Sequence, residues 1–291
     1  MGFLSDYVDF ADTCHTSTLC VNPCLAGCNS KCISCLDKQN FQGQQRTYDC
    51  EKRCGAYVCH YLFRFFIEMR FLCKEVRPLN DSVKVLSIGC GPCSELFPLD
   101  EVMENQFKEY RIDFVGIDLS DKWRLFHAEI DRLIAVHQKP ITTRFIIGDA
   151  MSELNQLLEE EFDIIVLNYF LSDYRKLHNR SILPVRQFCH LLYNTVINRM
   201  PINSYILLND INHNESRDCF EVLTSEVKRS KVVKKYRFDK PYIVLETYTP
   251  SYYTRGNPII KIPKKYLAQS FQQVFSPRTD CSSAQVIVEV R

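Results

Sequence analysis

The sequence predicts an α/β protein with a doubly wound, mostly parallel sheet that ends in an antiparallel C-terminal hairpin, preceded by a small cysteine-rich segment. From about residue 81, short β-branched runs alternate with longer segments of helical spacing, as in a parallel sheet covered on both faces. Extended runs follow the last helix, which favours a terminal hairpin. Nine of the fifteen cysteines lie between Cys14 and Cys59, which marks a separate N-terminal module.

The elements follow in a regular order. Strands are predicted at 83–89, 113–119, 143–149, 162–168 and 204–210, and final strands at 231–238, 242–249 and 284–291. Helices are predicted at 94–109, 121–138, 152–161, 183–200 and 216–230. A long helix over 50–76 connects the cysteine-rich segment to the first strand. We therefore divide the chain into a module of residues 1–80 and a sheet domain of residues 81–291.

Composition excludes several classes of protein. The 291 residues are 46% hydrophobic and 24% charged, with a net charge of +1, so the chain has no global field suited to coating a polyanion. Its start lacks a basic segment followed by an apolar core, and no run reaches the roughly 18 apolar residues that span a bilayer. We expect a cytoplasmic protein that does not enter a membrane.

Three motifs stand at predicted strand ends. The first strand is followed by Gly89-Cys90-Gly91-Pro92 and by a helix that opens with Ser94 and Glu95, which resemble a capping pair. Asp118 ends the second strand and Asp149 the third. Taken singly, a tight turn or a helix cap explains each motif about as well as a ligand site does.

Together these motifs resemble the class I methyltransferases that use S-adenosylmethionine (SAM). The resemblance implies a seven-stranded Rossmann-like sheet and a SAM site that reads the ribose with Asp118 and the adenine with Asp149. Ser87 stands where that family commonly has an acidic residue. The cofactor-binding residues so implied are Gly89, Cys90, Gly91, Pro92, Asp118, Leu119, Asp149, Ala150 and Asn168.

A dinucleotide-binding fold is disfavoured by the same segment. It would require a third glycine at the position of Ser94 and an acidic residue about 20 residues on, whereas Asp118 lies 29 residues past Gly89.

The acceptor side is expected after the fourth strand, where polar and aromatic residues follow an apolar run. Asn168, Tyr169 and Asp173 are the candidate catalytic residues that position the acceptor. An equal alternative is that Tyr169 and Phe170 are core residues or cover the adenosine. Basic residues interleaved with tyrosines in 228–240 and 248–266 suggest RNA as the acceptor, although a solvated basic edge explains them as well. Small molecules and proteins remain alternative acceptors.

The cysteine-rich segment is predicted to bind a metal, because nine thiols within so short a stretch exceed what packing requires. The candidate ligands are Cys20, Cys24, Cys28, Cys32, Cys35, Cys50 and Cys54. Zinc and an iron–sulfur cluster both fit thiolate ligands.

Two other functions are weighed against an ordinary methyltransferase. The spacing of Cys28, Cys32 and Cys35 is that of radical SAM enzymes, which would need a downstream barrel that this sequence does not predict. A SAM-fold protein without turnover, acting in assembly or regulation, is the other alternative.

Overall fold

The computed structural model describes residues 2–16, 50–76, 80–227, 230–237, 254–255 and 283–291. Within these ranges the chain forms one α/β sheet with helices on both faces, as the sequence predicts. The predicted strand 242–249 and the predicted ligands between Cys20 and Cys35 lie outside the described residues. Among the described helices, none is both long and apolar enough to cross a membrane.

The sheet contains eight strands within the described ranges. They are β1 (Ser82–Ile88), β2 (Arg111–Asp118), β3 (Ile141–Ile147), β4 (Ile164–Asn168), β5 (Tyr205–Ile211), β6 (Ser230–Arg237), β7 (Thr254–Arg255) and β8 (Ser283–Val290). Their order across the sheet is β3-β2-β1-β4-β5-β8-β6-β7. Strands β1 to β5 are parallel, and β8 runs antiparallel to both β5 and β6.

The seven strands that the resemblance implies are one fewer than the eight of this sheet. The added strand is the two-residue β7, which pairs with β6 at the sheet edge. The antiparallel C-terminal pair consists of β6 and β8, with β8 inserted between β5 and β6. The last strand of the chain is therefore central rather than peripheral, and its side chains are almost all buried.

Helices cover both faces of the sheet. They are α1 (Phe3–Thr16), α2 (Glu51–Cys73), α3 (Leu96–Gln106), α4 (Arg124–Val136), α5 (Ala150–Glu153), α6 (Leu171–Leu177), α7 (Leu183–Thr195) and α8 (Asn214–Glu226). The sequence did not predict α1 or α6. The predicted helix over 152–161 is one turn of α5 followed by a 3-10 turn at Leu154–Leu157, because the chain there only connects β3 to β4.

The long helix α2 is buried on most of its surface, although it belongs to the N-terminal 80 residues. It lies in one hydrophobic core with α1, α3, α4 and one face of the sheet. A Cβ atom on Gly55 would lie 2.6 Å from the carbonyl oxygen of Ala11, so α1 and α2 touch through this glycine. The predicted division at residue 80 stays a prediction, but the described helices before it pack directly on the sheet domain.

The strand order places a crevice between β1 and β4. The chain winds outward from β1 to β2 and β3, and then returns to β4 on the other side of β1. Neighbouring connections leave opposite faces of the sheet at this point, so the carboxyl ends of β1 and β4 open a cleft where α/β proteins bind ligands.

Candidate functional site

The loop after β1 is held in a conformation that requires glycine. Gly89 and Gly91 have φ values of +68° and +44°, in the left-handed region. A Cβ atom on Gly89 would lie 2.6 Å from the Phe170 ring, so a larger residue would also clash. The backbone N–H of Gly91 donates a 2.8 Å hydrogen bond to Oδ2 of Asp118. The first two predicted landmarks, the glycine loop and the acid that ends β2, are therefore in direct contact.

Asp118 is partly buried at the end of β2 and holds two backbone amides. Besides Gly91, the N–H of Ser120 donates to Oδ1 at 2.9 Å. Burial raises the pKa of Asp118 to about 6, although these two backbone hydrogen bonds lower it. Each carboxylate oxygen has a further lone pair that a ligand hydroxyl can use. Leu119, the next residue, is 63% exposed and offers an apolar surface beside that carboxylate.

Asp149 lies at the end of β3 and is exposed. It begins α5, and its backbone carbonyl accepts the N–H groups of Ser152 and Glu153 at 2.9 Å. Its side chain does not cap the helix, which leaves the carboxylate available to a ligand. Ala150 behind it is buried. Since β3, β2 and β1 are adjacent, Asp149, Asp118 and the glycine loop stand in that order along one edge of the sheet.

Asn168 ends β4 on the other side of the glycine loop. Its amide nitrogen donates to Oγ of Ser94 at 3.0 Å, and its oxygen accepts from Nδ2 of Asn209 at 2.8 Å. The side chain therefore bridges β4, β5 and the segment that follows the loop. Because Asn168 is partly exposed, it lies at the surface of the crevice.

Sequence reasoning missed the role of Glu95, which it treated as half of a capping pair with Ser94. The Glu95 side chain makes no capping hydrogen bond to α3. Instead, Oγ of Ser94 donates to Oε2 of Glu95 at 3.3 Å. The Ser87 hydroxyl donates to Oε1 of the same carboxylate. Burial raises the pKa of Glu95 to about 7, opposed by hydrogen bonds from Ser87, Ser94 and Asn168. The signal available in the sequence was an acidic residue close behind a loop whose usual acid is replaced by Ser87.

Tyr169 has a strained backbone, and its phenol is turned toward α2. Its φ of +55° is unusual for a non-glycine residue and is typical of functional sites. The hydroxyl accepts a 2.6 Å hydrogen bond from Nη2 of Arg64 and donates to Oε2 of Glu68 at 2.9 Å. The ring packs 4.3 Å from Phe65 between ring centroids. Asp173, by contrast, pairs with Lys176 at 2.9 Å on α6. The two candidates therefore have different neighbours.

A buried polar network connects α2 to the crevice. Arg64 and Glu68 form an ion pair at 2.9 Å in which both side chains are almost fully buried. Nδ2 of Asn209 lies 3.1 Å from Oε2 of Glu68, and Nε2 of Gln285 donates to Oδ1 of Asn209 at 2.9 Å. Because Asn209 also holds Asn168, the network runs from α2 through β5 to the end of β4. The sequence did contain a signal for this network: Arg64 and Glu68 have opposite charges, lie four residues apart and are surrounded by apolar residues.

Thiols lie directly beneath the glycine loop. The ligand atoms of Cys90, Cys93 and His127 are all within 4.8 Å of one another, and all three residues are buried. Nε2 of His127 lies 2.8 Å from the carbonyl oxygen of Gly91 and 3.9 Å from Sγ of Cys90. Burial lowers the pKa of His127 to about 4, so the imidazole is neutral at pH 7. The Cys90 side chain is thus buried against His127, which leaves the backbone of this residue to line the crevice.

Two of the predicted metal ligands fall in the described chain. Cys50 immediately precedes α2 and is partly exposed. Cys54 is buried in the core, and burial raises the pKa of its thiol well above the usual value. The other five ligands lie outside the described residues, so the predicted cluster stays a prediction. The same holds for the basic runs, of which only the backbone of 230–237 and 254–255 is described.

Comparison with known proteins gives structural neighbours but no sequence relatives. No model of a protein family and no curated protein matches the sequence. A putative class I SAM-dependent methyltransferase from Listeria monocytogenes is similar at 9% identity and a TM-score of 0.48, over 99% of this chain and 87% of that one. A putative SAM-dependent methyltransferase from Streptococcus mutans is similar at 10% identity and a TM-score of 0.43, over 77% of this chain and 48% of that one.

TrmN from Thermus thermophilus is a third neighbour, at 10% identity and a TM-score of 0.43, covering 78% of this chain. The chain spans about half the length of TrmN and of the Streptococcus protein, since it covers 48% of each. At these identities and TM-scores the neighbours assign no role to any residue of this chain.

Proposed function

We propose that this chain binds SAM at the carboxyl edge of β1 to β4 and transfers its methyl group to an acceptor. The observation that carries the proposal is the hydrogen bond from the Gly91 N–H to Asp118, which joins the glycine loop to a carboxylate with unused lone pairs. Asp149 continues the same edge with an exposed carboxylate. This arrangement offers acceptors for ribose hydroxyls and for an adenine amino group, in the order of an extended nucleoside.

The residues present fit such a ligand. Left-handed glycines at 89 and 91 keep side chains out of the loop, so a ligand can approach the backbone closely. The 63% exposed side chain of Leu119 provides an apolar surface for a base beside the Asp118 carboxylate. We therefore assign Gly89 to Pro92, Asp118, Leu119, Asp149, Ala150 and Asn168 to the cofactor site.

Bound SAM supplies a methyl group on a positively charged sulfur. The acceptor attacks the methyl carbon in line with the carbon–sulfur bond, and the sulfur leaves as a neutral thioether. The chain's own task is to hold the two reactants in that geometry, which can provide most of the rate enhancement. Asn168 borders the crevice next to the glycine loop, and we propose that it positions the acceptor together with Asp173. Tyr169 acts differently: its phenol is engaged by Arg64 and Glu68, so it fixes the backbone between β4 and α6.

The acceptor we propose is RNA, bound by the basic runs of 228–240 and 248–266, whose lysines and arginines can neutralise phosphates. A small molecule or a protein is the alternative acceptor. A cytoplasmic location is part of the same proposal.

We also propose that the cysteine-rich segment binds zinc or an iron–sulfur cluster through Cys20, Cys24, Cys28, Cys32, Cys35, Cys50 and Cys54. Metal analysis and an absorption spectrum of anaerobically purified protein distinguish the two metals. Replacing Cys28 and Cys32 by Ser should release the metal and lower the melting temperature. Retained metal with an unaltered melting temperature would contradict this ligand set. An iron–sulfur spectrum together with formation of 5'-deoxyadenosine under reduction would instead support radical SAM chemistry.

Calorimetric titration with SAM and S-adenosylhomocysteine tests the cofactor site, and tritium-methyl transfer to total RNA tests turnover. Binding with transfer supports the enzyme. Binding without transfer to RNA, protein extract or small molecules favours a SAM-fold assembly or regulatory protein. If neither ligand binds the wild-type chain at millimolar concentration, the proposal is wrong.

A further inference from the structure

Glu95 is a buried carboxylate beside the glycine loop whose described partners are all neutral. Its residue is 1% exposed. Hydroxyls of Ser87 and Ser94 and the amide of Asn168 surround it, and no described lysine, arginine or histidine forms an ion pair with it. The buried carboxylate of Glu68 shows the contrast, because Arg64 pairs with it at 2.9 Å.

An isolated buried anion is costly, and proteins bury carboxylates when a cation or a ligand compensates them. Neutral hydrogen bonds lower that cost in part. The pKa of about 7 shows that the hydroxyls and the amide around Glu95 do not offset its burial fully. When the Glu95 carboxyl is ionised, no described cation compensates its charge, and it lies next to the loop where the proposed ligand binds.

The order of elements along the sheet edge identifies which end of a ligand reaches Glu95. Asp149 and Asp118 belong to β3 and β2, and they take the adenosine in the proposed function. The glycine loop follows β1, and Asn168 ends β4 on the far side. A ligand that extends from β3 toward β4 therefore brings its end opposite the adenosine to Asn168. Asn168 is partly exposed and contacts Ser94 and Glu95, so Glu95 lies one side chain below that point.

We infer that Glu95 receives the primary ammonium group of the amino-acid end of SAM. Ser87 and Asn168 orient the Glu95 carboxylate for this contact. The inference rests on the proposed function. The Ser87 hydroxyl carries no charge and fixes Oε1 of Glu95. Oε2 has a longer contact, at 3.3 Å from Ser94, and we assign the ammonium to this oxygen.

The test compares two ligands that differ only in that ammonium. S-adenosylhomocysteine and its deamino analogue, in which hydrogen replaces the amino group, are titrated calorimetrically into wild-type protein and into Glu95→Gln. The wild type should prefer S-adenosylhomocysteine by about tenfold or more, the usual effect of a hydrogen bond between charged groups. Glu95→Gln should reduce this preference to about twofold or less and leave the affinity for the deamino analogue unchanged. Glu104→Gln changes an exposed carboxylate on α3, the helix that follows Glu95; it is the matched control and should behave as wild type.

The outcomes separate this inference from the function it rests on. If Glu95→Gln keeps the full preference for S-adenosylhomocysteine, or if the wild type binds both ligands equally, Glu95 does not hold the ammonium although the cofactor site stands. If neither ligand binds the wild type, the proposed function itself fails. The comparison of ligands on the wild type needs no variant, so equal binding of the two ligands overturns the inference even if Glu95→Gln does not fold.

Discussion

Glu95 should make the stability of the ligand-free protein depend on pH, with the opposite sign to that of a paired carboxylate. Its pKa rises from 4.5 to about 7 in the folded protein because burial disfavours the charged form. Between these values the folded state binds more protons than the unfolded state, so stability falls as pH rises. Below about pH 4.5 the group is neutral in both states and the cost is absent.

The size of this effect follows from the two pKa values. Each pKa unit corresponds to about 1.4 kcal/mol, so the full cost of ionised Glu95 is roughly 3 kcal/mol, reached a little above pH 7. At pH 5 most of it is absent. Glu95→Gln keeps the shape of the side chain and removes the charge. We therefore expect the free energy of unfolding of Glu95→Gln, relative to wild type, to rise by about 2 kcal/mol between pH 5 and pH 8.

Urea unfolding at the two pH values measures this difference, with the fluorescence of Trp123 as the signal. It is the only tryptophan of the chain and is 1% exposed when folded. Using the difference between variant and wild type removes the contributions of Asp118 and Asp210, whose pKa values burial also raises to about 6. The same difference at pH 5 and pH 8, or a smaller one at pH 8, would refute the view that Glu95 is an uncompensated buried acid.

Three further changes test other parts of the site. Asp118→Ala should weaken S-adenosylhomocysteine binding by about tenfold or more in calorimetry, because it removes ligand acceptors, and an unchanged affinity would end the cofactor assignment. Gly89→Ala would place a Cβ atom 2.6 Å from the Phe170 ring at a residue whose φ is +68°. The free energy of unfolding should fall by about 1 to 3 kcal/mol and the melting temperature by several degrees, and an unaltered melting curve would argue against the loop geometry. Glu68→Leu should lower the free energy of unfolding, measured with urea, by about 3 kcal/mol, because it removes the ion pair of buried Arg64. Combining it with Arg64→Leu should recover most of that loss, and an equal loss in the single and the double variant would contradict the pairing.

Much of the sheet was predictable because its strands are short apolar runs with strong local signals. The five parallel strands begin within two residues of their predicted starts. Helix α6 was missed because its seven residues are too few to show a period, and α1 was not recognised ahead of the cysteine-rich segment. The strand count was less predictable because β7 has only two residues and exists through its pairing with β6.

The site was predicted in the part that depends on position along the chain. Glycines after a first strand and acids after the next two strands are local features, and parallel strands bring their carboxyl ends to one edge. The first two are joined by the hydrogen bond from Gly91 to Asp118. For Tyr169, prediction offered a substrate contact or a core position, and its hydrogen bonds to Arg64 and Glu68 place it against α2.

The sequence by itself determined the fold class, the glycine loop and the acids at the ends of β2 and β3, because each follows from patterns a few residues long. Only the tertiary structure decided that α2 joins the core and reaches Asn168 through Asn209. It also decided that Glu95 contacts Ser87 and forms no ion pair with a cation among the described residues. Such contacts join residues far apart in the chain, and the cost of burying a charge depends on all the groups around it. No local sequence pattern encodes the sum of these interactions. The lack of a described positive partner for Glu95 is therefore visible only in the folded chain.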